Sequence, residues 1–140
     1  MIRGVLDTNV LVAAARSRLG ASFQIVRMLE PDGPFQIALS VPLALEYEMA
    51  LKRQTDLSEE DADVIVDYLC QVADLRRIHF LWRPFLRDPA DEMVLEVAVE
   101  AEADVIVTHN IRDFRDVEEQ FDIRVIRPGA FLELLEGKDR

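Results

Sequence analysis

Cysteine is nearly absent from this chain, and lysine, histidine and glycine are scarce. A single cysteine, Cys70, in 140 residues allows no intrachain disulfide and no zinc site built on several thiolates. Set in the apolar stretch Val64 to Val72, it reads as an inert core thiol of a reducing compartment. Five glycines exclude a collagen-like chain. Of the 16 basic residues only Lys52 and Lys138 are lysines, which removes chemistries that need an ammonium group at the site. No apolar run approaches the roughly 18 residues that span a bilayer. Asp7 interrupts the first apolar run too early for a secretory signal, so no membrane partner and a cytoplasmic location are expected. Positive charge is also short. A formal net charge of −11 argues against a nucleic-acid binder that relies on a bulk positive field. It leaves room for an enzyme whose positive charge arrives as metal ions.

Half of the residues are apolar and 31% are charged, the balance of a soluble globular protein. One domain over residues 1–140 is expected, burying roughly two-thirds of the surface its unfolded chain exposes. Residues 2–6 read as a buried strand that stops at Asp7. A helical pattern starts at Val10, and a second runs from Ser22 to Glu30, ended by Pro31-Asp32-Gly33-Pro34. Residues 35–39 alternate as a strand, and Pro42 suits the first turn of a helix to about Arg53. Ser58 is an N-cap with acids in the following turn, and Ala62, Ile65, Leu69 and Val72 should face the core. A short strand is expected at Ile78 to Leu81, then a helix from Glu92 to about Glu102. Asp104 to Thr108 is the clearest strand, Val125-Ile126 is a last one, and Phe131 to Glu136 is a final helix. Strands alternating with helices imply α/β architecture, with a mainly parallel sheet between helices on both faces.

Ligands of open parallel sheets bind beyond the carboxyl ends of the strands, and polar residues gather there. Asp7-Thr8-Asn9 follows the first strand; Thr108-His109-Asn110 and then Asp113 follow the strand at 104–108; Asp88 and Asp91 open a helix; Glu46 lies one turn into another. Crowded carboxylates repel unless a cation neutralises them. Hard oxygen donors suit Mg²⁺ or Mn²⁺, and such ions activate water against a phosphodiester. Each acid also has an ordinary reading as a helix cap or turn residue. His79, between Ile78 and Phe80, reads as partly buried and structural, whereas His109 stands beside the candidate site.

Val5-Leu6-Asp7-Thr8-Asn9-Val10-Leu11-Val12, the helix from Pro42 to Glu46, Asp91 opening Asp-Glu-Met-Val-Leu-Glu-Val-Ala, and Val105-Ile-Val-Thr-His-Asn-Ile-Arg-Asp-Phe114 together resemble the PIN domain. The likeness is greatest to the small VapC-type ribonuclease toxins of toxin–antitoxin pairs, and it spans Ile2 to about Leu135. It implies a PIN-like three-layer fold around a five-stranded sheet, and a Mg²⁺- or Mn²⁺-dependent endoribonuclease. It further implies an RNA substrate, a cognate antitoxin and a homodimer. Carried over by position, Asp7, Glu46, Asp91 and Asp113 match the acidic metal-binding quartet, and Thr8, Asn9, Thr108 and Asn110 match the polar residues around it. Glu46 is preferred to Glu48 because Leu51 follows it by five residues, and Asp91 to Asp88 because it begins the helix carrying Ala98. The family often has Arg where His109 stands, a departure that bears on substrate contact and pH response. Arg16, Arg18, Arg112 and Arg115 are the RNA-contact candidates. Arg76, Arg77, Arg83 and Arg87 form a second basic cluster. Seven acids without a basic residue (Asp56, Glu59, Glu60, Asp61, Asp63, Asp67, Asp74) read as a solvated helix face that a basic antitoxin segment would also fit.

Three rivals share the layout. An aspartyl phosphatase wants a second Asp two positions after the first, where Asn9 stands, and a site lysine. A phospho-receiver domain needs a lysine near the last strand, where only Arg124 and Arg127 occur; Arg does not replace a compact ammonium. The third is a non-catalytic PIN fold that binds RNA or protein, against which the full acidic quartet argues.

Overall fold

Five short parallel strands form one sheet in the computed structural model, which describes residues 1–137. Lys138 and the end of the expected domain lie outside the described residues. The strands are β1 (Ile2–Leu6), β2 (Phe35–Leu39), β3 (Asp74–Leu75), β4 (Val105–Val107) and β5 (Arg124–Ile126). Their order is β3-β2-β1-β4-β5, with Gly4 opposite both Ile37 and Val105. The helices are α1 (Thr8–Arg16), α2 (Ala21–Arg27), α3 (Val41–Gln54), α4 (Glu59–Val72), α5 (Pro89–Glu100), α6 (Val117–Phe121) and α7 (Pro128–Leu135). Travel along the sheet reverses between β3 and β4, so right-handed crossovers require helices on both faces. The reversal also opens a crevice between the carboxyl ends of β1 and β4, the place where such sheets bind ligands.

The apolar strand residues are buried whichever face they point to: Val5, Leu6, Ile37, Leu39, Ile106 and Val107 all lie in the core, as a covered parallel sheet demands. Gly4 is required by closeness, because a Cβ there would sit 3.0 Å from Val105 Cγ2. Helix starts follow local chemistry. Asp7, Ser40, Ser58 and Asp88 cap α1, α3, α4 and α5 through their side chains, and Pro42, Pro89 and Pro128 occupy first turns.

Several expected boundaries move. The third strand is Asp74–Leu75, not 78–81: β2 offers pairing to the residues that leave α4, with Ala38 opposite Asp74 and Arg76 N–H donating to the Leu39 carbonyl. Phe80 and Leu81, apolar as a strand pattern would want, are exposed instead. Helix α1 begins at Thr8 because Asp7 caps it, α2 ends at Arg27, and α5 begins at Pro89, so Asp91 lies in its first turn and does not open it. On α4, Val66 is the buried residue beside Ala62 and Leu69, while Ile65 and Val72 are half-buried. Helix α6, unread from sequence, is a five-residue turn flanked by left-handed Asp116 and Asp122. Cys70 packs half-buried against the core, where burial and the Asp67 charge hold its thiol protonated.

Residues 76–88 form an irregular strap that runs antiparallel along α5 and is pinned by three of its carboxylates. His79 Nδ1 meets Glu100 at 2.6 Å, the Arg83 guanidinium makes two bonds to Glu96 at 3.0 and 3.1 Å, and Phe85 N–H donates to Glu92 at 2.9 Å. Glu92, Glu96 and Glu100 recur every four residues and therefore share a stripe of the helix. His79 is exposed, and its structural role is this bond to Glu100.

Candidate active site

The crevice is organised by one hydroxyl. Thr108, fully buried just after β4, donates its Oγ1–H to Asp7 Oδ2 at 2.7 Å. It accepts from Asn110 N–H at 3.0 Å and from Asn9 Nδ2 at 3.4 Å. One donation and two acceptances use the whole capacity of a hydroxyl, so Thr108 has a single satisfied orientation. The other Asp7 oxygen accepts from Thr8 N–H at 2.8 Å. Asp7 N–H continues the β1–β4 ladder to the Val107 carbonyl at 2.9 Å. Asn9 Oδ1 accepts from His109 N–H, so the two strand ends are stitched across the switch point.

Tyr47 braces this strand end from α3. Its buried hydroxyl donates to the carbonyl of Leu6, the residue before Asp7, and burial first, then the Asp7 charge, keeps the phenol protonated. Tyr47→Phe leaves that carbonyl without its partner and is expected to cost about 1–3 kcal/mol. Urea unfolding of the two proteins measures the difference.

Four aspartates share the crevice. Burial raises the Asp7 pKa most; its bonds to Thr108 and Thr8 oppose this, and the charges of Asp113 and Asp88 add to it. Asp91 is pushed up to about 7, by burial first and then by Asp7, Asp88 and Asp113. The structure therefore brings Asp7, Asp91 and Asp113 together and adds Asp88, which the sequence reading set aside. Asp88 serves as the α5 cap through its bond to Ala90 N–H and as a charge in the cluster. The Asp-Pro-Ala-Asp spacing was its signal, since an N-cap and the third helical residue lie on the same turn. Glu46 is half-buried on α3, beside Tyr47 in sequence, and is not among the charges acting on Asp7 or Asp91.

A cavity of about 410 Å³ opens beside Asp91, with Asp88, Asp113, Arg87, Arg112 and Arg115 in its wall. Arg112 and Arg115 thus stand where the sequence reading put them, and Arg87 joins them. Arg16 does not: its Nε donates to the Gln54 carbonyl at the far end of α3, about 12 Å along α1 from Thr8. Arg18 lies exposed in the turn beyond it. His109 is tied to Ser22 of α2 at 2.9 Å, and burial and Arg127 lower its pKa.

Among the described residues, no three His, Cys, Asp or Glu side chains stand close enough to ligate one ion together; the aspartates are linked by charge. Their donor chemistry fits a hard divalent cation: carboxylate oxygens only, at least two destabilised by like charge, with the buried Thr8 Oγ1 unpartnered next to Asp7 in the chain.

The PIN domain family model matches residues 3–112, which contain Asp7, Asp88 and Asp91, all of β2 to β4 and all but the first residue of β1. A solved structure of VapBC2 from Rickettsia felis, bound to a DNA fragment from their promoter, superposes with a TM-score of 0.59. It covers 90% of this chain and 98% of that one at 13% identity, a likeness of fold. No curated protein matches. No described helix is long and apolar enough to cross a membrane. With the family match spanning most of the chain, and the strand order placing its acids at the switch point, this protein belongs to the PIN domain family.

Proposed function

We propose that the protein is a divalent-metal-dependent endoribonuclease that hydrolyses RNA phosphodiesters. The carrying observation is the convergence of Asp7, Asp88, Asp91 and Asp113, with Asp91 raised to about 7 by burial and like charge. A site built this way is costly for the empty protein and is relieved by a bound cation. Since no three of these acids stand close enough to ligate one ion directly, Asp7, Asp91 and Asp113 would hold Mg²⁺ or Mn²⁺ partly through its bound waters, with Glu46 completing the site from α3. Bound there, the ion would neutralise the acids, polarise the scissile phosphate and activate a water. Thr108 holds the Asp7 carboxylate in one orientation, and Asn9 and Asn110 hold Thr108. Arg87, Arg112 and Arg115 would receive the flanking phosphates.

The fold shared with the Rickettsia felis VapBC2 structure supports a toxin role for this ribonuclease with a cognate antitoxin as partner; the working unit in this reading is a homodimer. The exposed acids of α4 offer a basic antitoxin segment a complementary face. The test is cleavage of a fluorogenic single-stranded RNA by the purified protein. Cutting with Mn²⁺ or Mg²⁺ that stops in EDTA, and that Asp7→Asn abolishes without unfolding, is the expected result. Full activity in Asp7→Asn would sink the assignment.

A further inference from the structure

We propose that the strap between β3 and α5 is a track that carries single-stranded RNA into the aspartate cavity. Bases would stack on Phe80, Trp82 and Phe85, and phosphates would meet Arg77 and Arg87. The proposal rests on the ribonuclease reading and assigns the surface that its substrate follows. In a chain of net charge −11, residues 75–87 contain four arginines and no acid. The carboxylates of α5 tie Arg83, His79 and the Phe85 amide to the helix and so fix the rail, on which Trp82 is half-buried and packs against the core. Phe80 is 59% exposed and Phe85 is exposed as well. Phe80 lies 4.5 Å from Trp82, Trp82 lies 5.1 Å from Phe121, and Phe121 lies 5.2 Å from Phe85.

An aromatic row with exposed ends at Phe80 and Phe85, joined through half-buried Trp82 and Phe121, marks an interaction site. The arginines beside it select a polyanion with flat apolar groups, which is unpaired RNA; a paired duplex hides the base faces that stacking needs. Arg77 and Arg87 are exposed and enter none of the ion pairs among the described residues. The track is continuous with the site: Phe85 and Arg87 line the same cavity as Asp88, Asp91 and Asp113.

Trp82 is the only tryptophan, so intrinsic fluorescence reads this surface directly. The experiment titrates the full chain, in EDTA to prevent cutting, with a twelve-residue oligouridylate and with a duplex RNA of equal length. The single strand should quench Trp82 and the duplex should not. Phe80→Ala should weaken binding about 5- to 100-fold, and Arg77→Gln should reduce the salt dependence by about 0.7 of a slope unit. Equal quenching by duplex would overturn the track. So would Mn²⁺-dependent cleavage with the same KM in Phe80→Ala and wild type and no quenching, a result that leaves the nuclease reading standing. Quenching and strand-selective binding without cleavage under either metal would keep the track and remove the nuclease. A dimer that Phe80→Ala dissociates would assign the surface to a second copy and overturn the proposal.

Discussion

Asp91→Asn is expected to lower RNA cleavage by about a thousandfold or more while making the metal-free protein more stable at pH 8. The loss corresponds to the several kcal/mol that cation-mediated charge stabilisation supplies. The gain follows from the same carboxylate. Burial, and then Asp7, Asp88 and Asp113, raise its folded pKa to about 7, well above that of an unfolded aspartate. Because the folded value is raised, the contribution to stability is fully present below about pH 4 and is lost as pH rises through about 7. Wild type in EDTA should therefore lose about 1–3 kcal/mol between pH 5 and pH 8 from this group, part of the ceiling set by the shift. The amide variant should not lose it. Urea midpoints of both proteins at the two pH values, with cleavage assayed in Mn²⁺, separate the effects. An equal pH-dependent loss in the variant would show that Asp91 is not the strained group. The trade of stability for a charged site is common where function needs groups that folding disfavours.

Arg83→Met should be the most destabilising single change on the strap, at about 1–3 kcal/mol. Glu96 is 3% exposed in the middle of α5, and the two bonds from Arg83 are its pairing. Removing the guanidinium strands a carboxylate between strap and helix. Adding Glu96→Leu to Arg83→Met should restore most of the loss, because an apolar side chain in place of the buried carboxylate removes the charge left without its partner. A double-mutant cycle by chemical denaturation checks this. If the single variant proves nearly as stable as wild type, the pair does not hold the strap. The same variant should loosen Phe85 and Arg87 at the cavity wall, so its RNA affinity should fall even at temperatures where the fold persists.

The chain announces much of itself locally. Residues 4–6 and 105–107 are short runs without a polar side chain that end in polar residues, and they read as strands. Ser58, Asp7 and the three first-turn prolines start helices through bonds and dihedrals within a few residues of themselves. From that alternation the parallel α/β layout follows, and with it the choice of Asp7 and Asp113 as site candidates, since strand ends are where such sheets hold ligands. The resemblance carried by Asp7-Thr8-Asn9 and Val107-Thr108-His109-Asn110 reached the family that the wider comparison shows.

Tertiary structure decided the rest. Ile78 to Leu81 has a strand's composition, yet β2 pairs with Asp74 and Leu75 because those residues leave α4 beside it. Asp88 and Asp91 compete as site residues in the sequence, and both join the cluster once α5 points its first turn at the switch point: Asp88 acts on Asp7, and Asp7 and Asp88 act on Asp91. Arg16 and Arg87 are equally basic on paper; one closes the far end of α1 and the other borders the cavity. Glu92, Glu96 and Glu100 show a four-residue spacing, but their partners lie on a strap with no periodicity of its own. Caps, turns and strand propensities arise from interactions over a few residues, so the sequence alone determines them. Which charges meet, which cations remain exposed and which carboxyl is forced towards neutrality depend on strand order and helix docking, and those bring together groups as far apart in the chain as Asp7 and Asp113.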